Sequence, residues 1–243
     1  MRYFKKLAKN FARSLGYDVM PYSSQRDFDH VFMQALARHD VDLVLDVGAN
    51  AGQFAAGLRN AGYSETIISF EPMSAEHRRL LNFSKSDARW KVAPRMAIGD
   101  IDGSVEINIA FNSGSSSLLP MLDLHREAAP ESVYAGKESV DIYRLDTIAK
   151  QLIEPNYKNI FLKIDVQGYE WSVLEGARET VERVVGILCE CSFSPLYAGE
   201  ARWTSLIEKI EAMGYEVWGV LPGFSDPRTE RLLQADFLFF RKP

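Results

Sequence analysis

A group of residues suited to binding a charged small molecule follows the first apolar run of the chain. The run at 43–45 ends in Asp46, and Gly48, Asn50 and Gly52 follow at alternate positions. Glycine at such positions lets the backbone approach a ligand closely, and the periodic apolar residues that follow predict a helix whose N-terminus faces the same space. The pattern predicts a buried strand, a tight turn and a helix, with a ligand at the turn.

A second acid lies where a nucleoside would need one. The apolar run at 66–70 ends in Glu71, shortly after the turn containing Gly52. An acid at the tip of the second strand can accept hydrogen bonds from ribose hydroxyls. The two segments together indicate a nucleoside cofactor rather than glycines that only turn the chain from a strand into a helix.

The spacing separates two classes of nucleoside cofactor. Dinucleotide-binding turns follow G-x-G-x-x-G, which presses a helix N-terminus against the diphosphate. Here the order is G-x-N-x-G, and Asp46 precedes the first glycine by two residues. That acid would repel a diphosphate but suits the sulfonium and ammonium groups of S-adenosylmethionine (SAM). We therefore predict SAM as the cofactor, and NAD is the alternative.

Further polar residues lie at predicted strand ends, where ligands bind in an open α/β sheet. Ala97 and Ile98 could offer backbone groups to an adenine edge. Asp165 could touch SAM, position a hydroxyl or act as a base, and Glu190 could line an acceptor site. Lys163 lies inside a buried run, which favours an ion pair.

The polar segment 112–138 has no clear periodicity, and long loops of this kind often carry function. Its serine-rich start precedes apolar residues, as in a loop that folds over a ligand. His125 in this segment could act as a general base near neutral pH or lie solvated at the surface. Glu170 could be catalytic or could be an acid in the first turn of a helix.

Alternating strand and helix patterns from residue 41 onward predict the fold that positions these groups. Such alternation indicates an α/β domain with a doubly wound, mostly parallel sheet. The last apolar run, 236–241, predicts an antiparallel C-terminal edge strand. We also predict one strand over 90–98 and a helix over 169–180. The predicted domains are an N-terminal helical extension, 1–40, and a Rossmann-like domain, 41–243.

The composition narrows the class of protein but does not identify its function. The 243 residues carry a net charge of −5 and are 47% hydrophobic, as expected of a globular protein with no general attraction to nucleic acid. Residues 1–17 are basic and amphipathic, which predicts a packed helix or weak peripheral membrane contact. With no signal-peptide or membrane-spanning pattern, we predict a cytoplasmic protein. Two cysteines and four histidines without ligand spacing predict no metal site.

Several segments together resemble the FkbM family of SAM-dependent methyltransferases. The resemblance covers about residues 41 to 241, and the block from Lys163 to Ala177 is the part most specific to the family. The segments that carry it are 46–52, 70–72, 97–100, 144–146 and 162–177.

The resemblance implies a Rossmann-like fold and O-methylation of a sugar, glycan or polyketide hydroxyl. It places Asp165 and Glu170 toward the reacting end and assigns no uniform base, so we take Asp165, His125 and Glu190 as candidates. The expected partner is a small-molecule or glycan acceptor with a free hydroxyl. The alternatives are a NAD-dependent oxidoreductase and a non-catalytic binding module. The residues expected at the cofactor are Asp46, Gly48, Ala49, Asn50, Gly52, Glu71, Pro72, Ala97, Ile98 and Asp165.

Overall fold

The computed structural model describes residues 11–15 and 28–242, apart from the side chain of Asp29. Residues 11–14 are helical and residue 15 lies in a turn, whereas residues 1–10 and 16–17 of the amphipathic helix predicted for 1–17 lie outside the described residues.

A seven-stranded sheet forms the centre of the molecule, in the order β3-β2-β1-β7-β8-β10-β9. β10 is antiparallel to both of its neighbours, and the other pairs are parallel. The predicted doubly wound, mostly parallel sheet is therefore confirmed, and the last strand is antiparallel as predicted. This strand, β10, is second from the edge of the sheet, because β9 pairs with its outer side. Its strands are β1 (Leu43–Val47), β2 (Thr66–Phe70), β3 (Trp90–Val92), β7 (Ile160–Ile164), β8 (Val184–Ser192), β9 (Tyr215–Pro222) and β10 (Gln234–Arg241).

Helices cover both faces of this sheet, which explains why β1, β2 and β7 are buried along their whole length. Alternation sends Leu45 into one core layer and Val44 into the other. The helices are α1 (Phe28–Arg38), α2 (Gln53–Asn60), α3 (Ser74–Ser84), α4 (Asp123–Ala128), α5 (Leu145–Leu152), α6 (Glu170–Glu175) and α7 (Trp203–Ala212).

Helix α1 belongs to the predicted N-terminal extension but packs on the sheet. Phe32 is buried, and its ring lies edge-on to Phe161 of β7, with 5.2 Å between the ring centroids. This part of the extension therefore contributes to the core of the domain. None of the described helices is long and apolar enough to cross a membrane.

A small second sheet lies beside the main one and was not predicted. It has the order β4-β6-β5, with β4 at Ala97–Gly99, β5 at Gly103–Ala110 and β6 at Tyr134–Arg144. The single strand predicted over 90–98 is therefore wrong, because its two halves belong to different sheets. Pro94 lies between them, and proline cannot donate a hydrogen bond to a continuous ladder.

The helix predicted over 169–180 is also shorter than expected, because α6 ends at Glu175. A Cβ atom on Gly176 would lie 1.8 Å from the carbonyl oxygen of Gly99, so the chain touches β4 directly there. Downstream, the carboxylate of Asp146 accepts hydrogen bonds from the backbone N–H groups of Glu179 and Thr180. These contacts hold the chain out of the helical path.

Candidate functional site

A cavity of about 400 Å³ opens at the carboxyl ends of β1, β2 and β7, a volume within the usual range for small-molecule sites. The walls include eight of the ten residues predicted at the cofactor. Asp46 and Gly52 do not line it. The eight are Gly48, Ala49, Asn50, Glu71, Pro72, Ala97, Ile98 and Asp165.

The turn after β1 is fixed by the backbone of neighbouring strands. Gly48 has φ +80°, and a Cβ atom there would lie 1.8 Å from the carbonyl oxygen of Asp165. The N–H groups of Gly48 and Ala49 both donate to the carbonyl oxygen of Phe70, at 3.2 and 3.0 Å. Gly48 is thus required by contact between β1 and β7, in addition to any contact with a ligand.

Gly52 serves the packing behind this turn. With φ +97°, it lies where a Cβ atom would approach the rings and methyl groups of Trp90 and Leu80 to within 2.9 Å. Its predicted role at the cofactor is therefore indirect, because it allows α2 to begin close against β3 and α3.

The carboxyl group of Glu71 lines the cavity and is held by two backbone N–H groups. Its Oε2 accepts the N–H of Asn50 at 2.7 Å, and its Oε1 accepts the N–H of Met73 at 2.8 Å. The side chain is 2% exposed, and burial raises its pKa to about 7. Both oxygens keep a further lone pair, so this carboxyl group could accept hydrogen bonds from two ribose hydroxyls.

Asp46 lies behind the cavity wall in a buried charge cluster. Lys163 Nζ lies 3.3 Å from Asp46 Oδ1 and 3.3 Å from Asp165 Oδ2, and it donates to the carbonyl oxygen of Gly48 at 2.8 Å. The buried ion pair considered for Lys163 is therefore present. Burial raises the pKa of Asp46 against the opposing charge of Lys163. Asp46 could act on a cofactor cation only through this cluster.

The pKa of Lys163 stands above its ordinary value. Burial alone would lower it, but the charges of Asp165 and Asp46 outweigh that effect. The ammonium group therefore remains charged and joins the turn after β1 to the end of β7.

The cavity lining also includes a group of apolar residues. Ala97 and Ile98 of β4 belong to it together with Met73, Met96 and Ile107. Apolar side chains with nearby backbone polar groups suit a purine ring. The two methionines were not predicted, since a methionine in a sequence is more often a core residue.

Gln167 lines the cavity, and both polar groups of its side chain are hydrogen-bonded. Its Nε2 donates to Asp165 Oδ1 at 2.8 Å and to Glu190 Oε2 at 2.7 Å. Its Oε1 accepts the hydroxyl of Tyr197 at 2.8 Å. Gln167 has φ +57°, a conformation that costs free energy for a residue other than glycine. The loop after β7 is thus held in place by this network.

Glu190 does not line the cavity, although it was predicted there. Its Oε2 also accepts Nε2 of Gln234 at 2.8 Å. Burial raises its pKa well above the ordinary value, and the nearby charge of Asp165 acts in the same direction. It supports the wall through the two glutamine amides.

His125 likewise lies outside the cavity. Its ring packs against Tyr197 and Phe224, with centroid distances of 5.2 and 5.4 Å. The side chain is buried, burial lowers its pKa to about 4, and its Nδ1 has no hydrogen-bond partner among the described residues. Tyr197 separates this imidazole from Gln167, so the structure does not bring it to the other candidate bases.

Glu170 holds a loop. Its Oε1 accepts the N–H groups of Val166 and Gly168, both at 3.1 Å, and burial raises its pKa to about 7. It does not line the cavity. The reading of Glu170 as a structural acid in the first turn of α6 is the one this geometry supports.

The serine-rich segment closes one side of the cavity, where Ser113, Gly114, Ser116 and Leu118 line the wall. Asn50 Nδ2 donates to Ser113 Oγ at 3.2 Å, and Ser117 Oγ donates to the carbonyl oxygen of Gln167 at 2.6 Å. This part of segment 112–138 is ordered over the cavity, and the segment continues into α4.

Asp236 of β10 also lines the cavity and was not predicted. Its signal in the sequence is one acid inside an otherwise apolar terminal run. No group of three or more His, Cys, Asp or Glu residues within the described ranges is arranged to hold a metal ion.

The site and fold agree with comparison to known proteins. Residues 46–217 match the methyltransferase FkbM domain, and the chain belongs to this family. SAM is accordingly the cofactor, and the protein is a SAM-dependent methyltransferase. The cavity fits this cofactor, because its lining includes both the Glu71 carboxyl group, which can accept hydrogen bonds from ribose, and apolar side chains. The family also decides against the dinucleotide alternative.

Three solved structures show the range of similar folds. TehB from Haemophilus influenzae has a TM-score of 0.48 and 12% identity, over 96% of this chain and 66% of that one. A SAM-dependent methyltransferase from Clostridium acetobutylicum has a TM-score of 0.46 and 7% identity, over 99% of both. Magnesium protoporphyrin IX methyltransferase from Synechocystis, with bound SAM, has a TM-score of 0.45 and 10% identity, over 98% and 97%. None of these indicates an acceptor, and no curated protein matches the chain.

Proposed function

We propose that this protein is an O-methyltransferase whose acceptor is a hydroxyl group of a sugar, a glycan or a polyketide-type small molecule. The observation that carries the proposal is the carboxylate of Asp165 on the cavity wall, beside the amide of Gln167 and near Asp236. Carboxylate and amide groups suit several hydroxyls of one polar acceptor. The cavity lining thus also holds carboxylates, one of which can take the proton that a hydroxyl must lose.

SAM supplies a methyl group on a sulfonium, which is already a good leaving group. The chain therefore has to hold the acceptor oxygen in line with that methyl group and receive a proton. Correct positioning alone can supply about 7–11 kcal/mol of the barrier. The fixed loop at Gln167 and the ordered segment at Ser113 support this role, because both present rigid walls.

Charge favours a small acceptor over nucleic acid. The chain has a net charge of −5, and the carboxyl groups of Asp165 and Asp236 belong to residues that line the cavity. A phosphate backbone would be repelled there, whereas neutral hydroxyl compounds would not. We propose that Asp165 contacts the reactants directly, whereas Glu190 and His125 act at most through their neighbours.

The cofactor contacts are proposals of the same kind. Glu71 would bind the ribose, Ala97 and Ile98 would border the adenine, and the turn at Gly48 would face the methionine part. The remaining predicted contacts come from the walls formed by Ala49, Asn50 and Pro72.

The test has two stages that separate binding from chemistry. Calorimetric titration with S-adenosylhomocysteine (SAH), and with NADH in parallel, should show binding of SAH alone. Methyl-labelled SAM should then label hydroxyl compounds such as methyl rhamnosides, methyl glucosides and simple phenols, but not a transfer RNA. SAH binding without transfer to any of these hydroxyl compounds would contradict the proposed acceptor class, and so would labelled RNA.

Residues 1–40 are proposed as an extension of the catalytic domain, 41–243, with weak membrane contact through 1–17. Flotation with anionic liposomes should recover more of the full chain than of a form lacking 1–17. Equal recovery of both forms would remove the membrane contact from the proposal.

A further inference from the structure

Asp236 stands apart from the other acids of the site in having no partner. It lies in β10 directly opposite Glu190 of β8, and it lines the cavity. Neither of its carboxylate oxygens makes a hydrogen bond or ion pair with any residue in the described ranges. Asp236 is half-buried and open to the cavity, so a hydroxyl bound there could donate to its carboxylate without displacing a donor of the protein.

The other candidate bases are already engaged. Asp165 accepts the amide of Gln167 with Oδ1 and lies 3.3 Å from Lys163 Nζ with Oδ2. Glu190 accepts two amide donors with Oε2 and lies off the cavity wall. Donors that stabilise a carboxylate reduce its tendency to take a proton. His125 is separated from the cavity by Tyr197.

We propose that Asp236 is the general base that deprotonates the acceptor hydroxyl, an inference that rests on the proposed O-methyl transfer. As the acceptor oxygen forms its bond to the methyl carbon, the bond from that carbon to sulfur breaks and SAH leaves. The hydroxyl proton passes to a carboxylate oxygen of Asp236. It then leaves to solvent with the product, so one proton and one methyl group are accounted for.

The surroundings of Asp236 suit this role. Burial raises its pKa to about 6, with the negative charge of Asp165 acting in the same direction and Lys163 opposing it. The facing acid Glu190 is itself engaged with two glutamine amides. A base of this strength is largely ionised at neutral pH and more basic than an ordinary aspartate, which favours proton removal.

The decisive variant is Asp236→Asn, which keeps shape and removes the base. With an aliphatic or phenolic hydroxyl acceptor that the wild-type chain methylates, we expect its turnover to fall by about 10²- to 10⁴-fold. With para-nitrophenol at alkaline pH, whose oxygen is already ionised, the loss should be much smaller. Asp141→Asn, an exposed aspartate on β6, is the matched control and should retain wild-type turnover with every acceptor.

Two readouts separate a base from a structural residue. SAH should bind Asp236→Asn as tightly as it binds the wild type. In the SAH complex, nuclear magnetic resonance of isotope-labelled aspartate carboxyls should show one group titrating near pH 6 that is missing in Asp236→Asn and present in Asp141→Asn. Absence of that titrating group from the wild type would overturn the proposal without any turnover measurement.

The outcomes distinguish this inference from the function it rests on. If the wild-type chain binds SAH but methylates no hydroxyl, the proposed function fails and the base role fails with it. If the wild type is active and Asp236→Asn stays within a few-fold of it, only the base role fails. An equal loss with ionised and un-ionised acceptors would also overturn it, because a misplaced acceptor explains that result.

Discussion

The two ends of the cavity are held in different ways. At the cofactor end, the turn at Gly48 and the carboxyl group of Glu71 are fixed by backbone N–H and C=O groups. At the end proposed for the acceptor, Asp165 on the wall and Glu190 behind it accept hydrogen bonds from the side-chain amides of Gln167 and Gln234, which come from separate strand ends.

This difference distinguishes the part of the site that does not depend on the surrounding side chains from the part that can change with each substitution. Backbone donors stay in place whatever side chains surround them, so the cofactor end depends on a few glycines and one acid. Side-chain donors change with each substitution, so the acceptor end can be rebuilt for another acceptor on the same sheet. Lys163 joins the two ends, since it contacts Asp46, Asp165 and the carbonyl oxygen of Gly48.

Removing the ammonium group of Lys163, which joins the two ends, should have the largest effect on stability. Lys163→Met leaves Asp46 buried without a counter-charge, and breaking a buried pair costs about 3–5 kcal/mol. Urea denaturation should show this loss in the free energy of unfolding. Lys91→Met is the control, because Lys91 pairs with Glu154 at the surface, where such pairs contribute at most about 1 kcal/mol. If the two variants lose the same free energy of unfolding, Lys163 does not stabilise the fold through its buried ion pairs.

Gly48→Ala should have the next largest effect, which is a loss of cofactor affinity. A left-handed residue with a side chain costs roughly 1–2 kcal/mol, and relieving the contact with the carbonyl oxygen of Asp165 adds about 1–3 kcal/mol. We expect SAH affinity to fall at least about tenfold by calorimetry, which corresponds to 1.4 kcal/mol. Gly57→Ala in α2 is the matched control, because a Cβ atom there meets nothing within 4 Å. Full affinity in Gly48→Ala would show that the turn can adapt.

Glu170→Gln should change the pH dependence of stability. The amide oxygen can still accept the N–H groups of Val166 and Gly168, while the buried charge is lost. Because burial raises the pKa of Glu170 from 4.5 to about 7, the folded state loses stability as pH rises through that window. The variant should match the wild type near pH 5 and unfold at a higher urea concentration near pH 8.

A neighbouring acid provides a control of opposite sign. Lys209 and Arg178 hold the pKa of Glu175 below its ordinary value, so its ionised form stabilises the fold above that value. Glu175→Gln should therefore lower stability near pH 8. If both substitutions change stability near pH 8 in the same direction, burial is not what raises the pKa of Glu170.

The smallest effect is expected at His125. His125→Phe keeps the ring contacts with Tyr197 and Phe224 and removes a buried nitrogen without a partner. Turnover and its pH profile should stay within about twofold, and the free energy of unfolding should change by less than about 1 kcal/mol. A loss of turnover comparable to that of Asp236→Asn would return the imidazole to the list of bases.

The features that could be predicted from the sequence are those set by residues close together in the chain. The strands at 43–47, 66–70 and 160–164 are mostly apolar segments, interrupted by Asp46, Ser69 and Lys163, and they were predicted from this pattern. Eight predicted cofactor residues line the cavity, because they lie at strands or strand ends that the pattern locates. The small sheet escaped prediction, since Ala97–Gly99 pairs with a strand more than forty residues later. Glu190, His125 and Asp236 were misjudged or missed, because pairing and burial between distant segments decide which acid faces the cavity.

The sequence by itself determined the mostly parallel α/β fold, the family and the cofactor, because these depend on hydrophobic period and on glycines and an acid close together in the chain. Only the tertiary structure decided that Asp46 lies behind the wall with Lys163, that Tyr197 shields His125 and that Asp236 faces the cavity without a partner. The physical reason is that a charge acts through its distance, burial and partners, and strands far apart in the chain set all three.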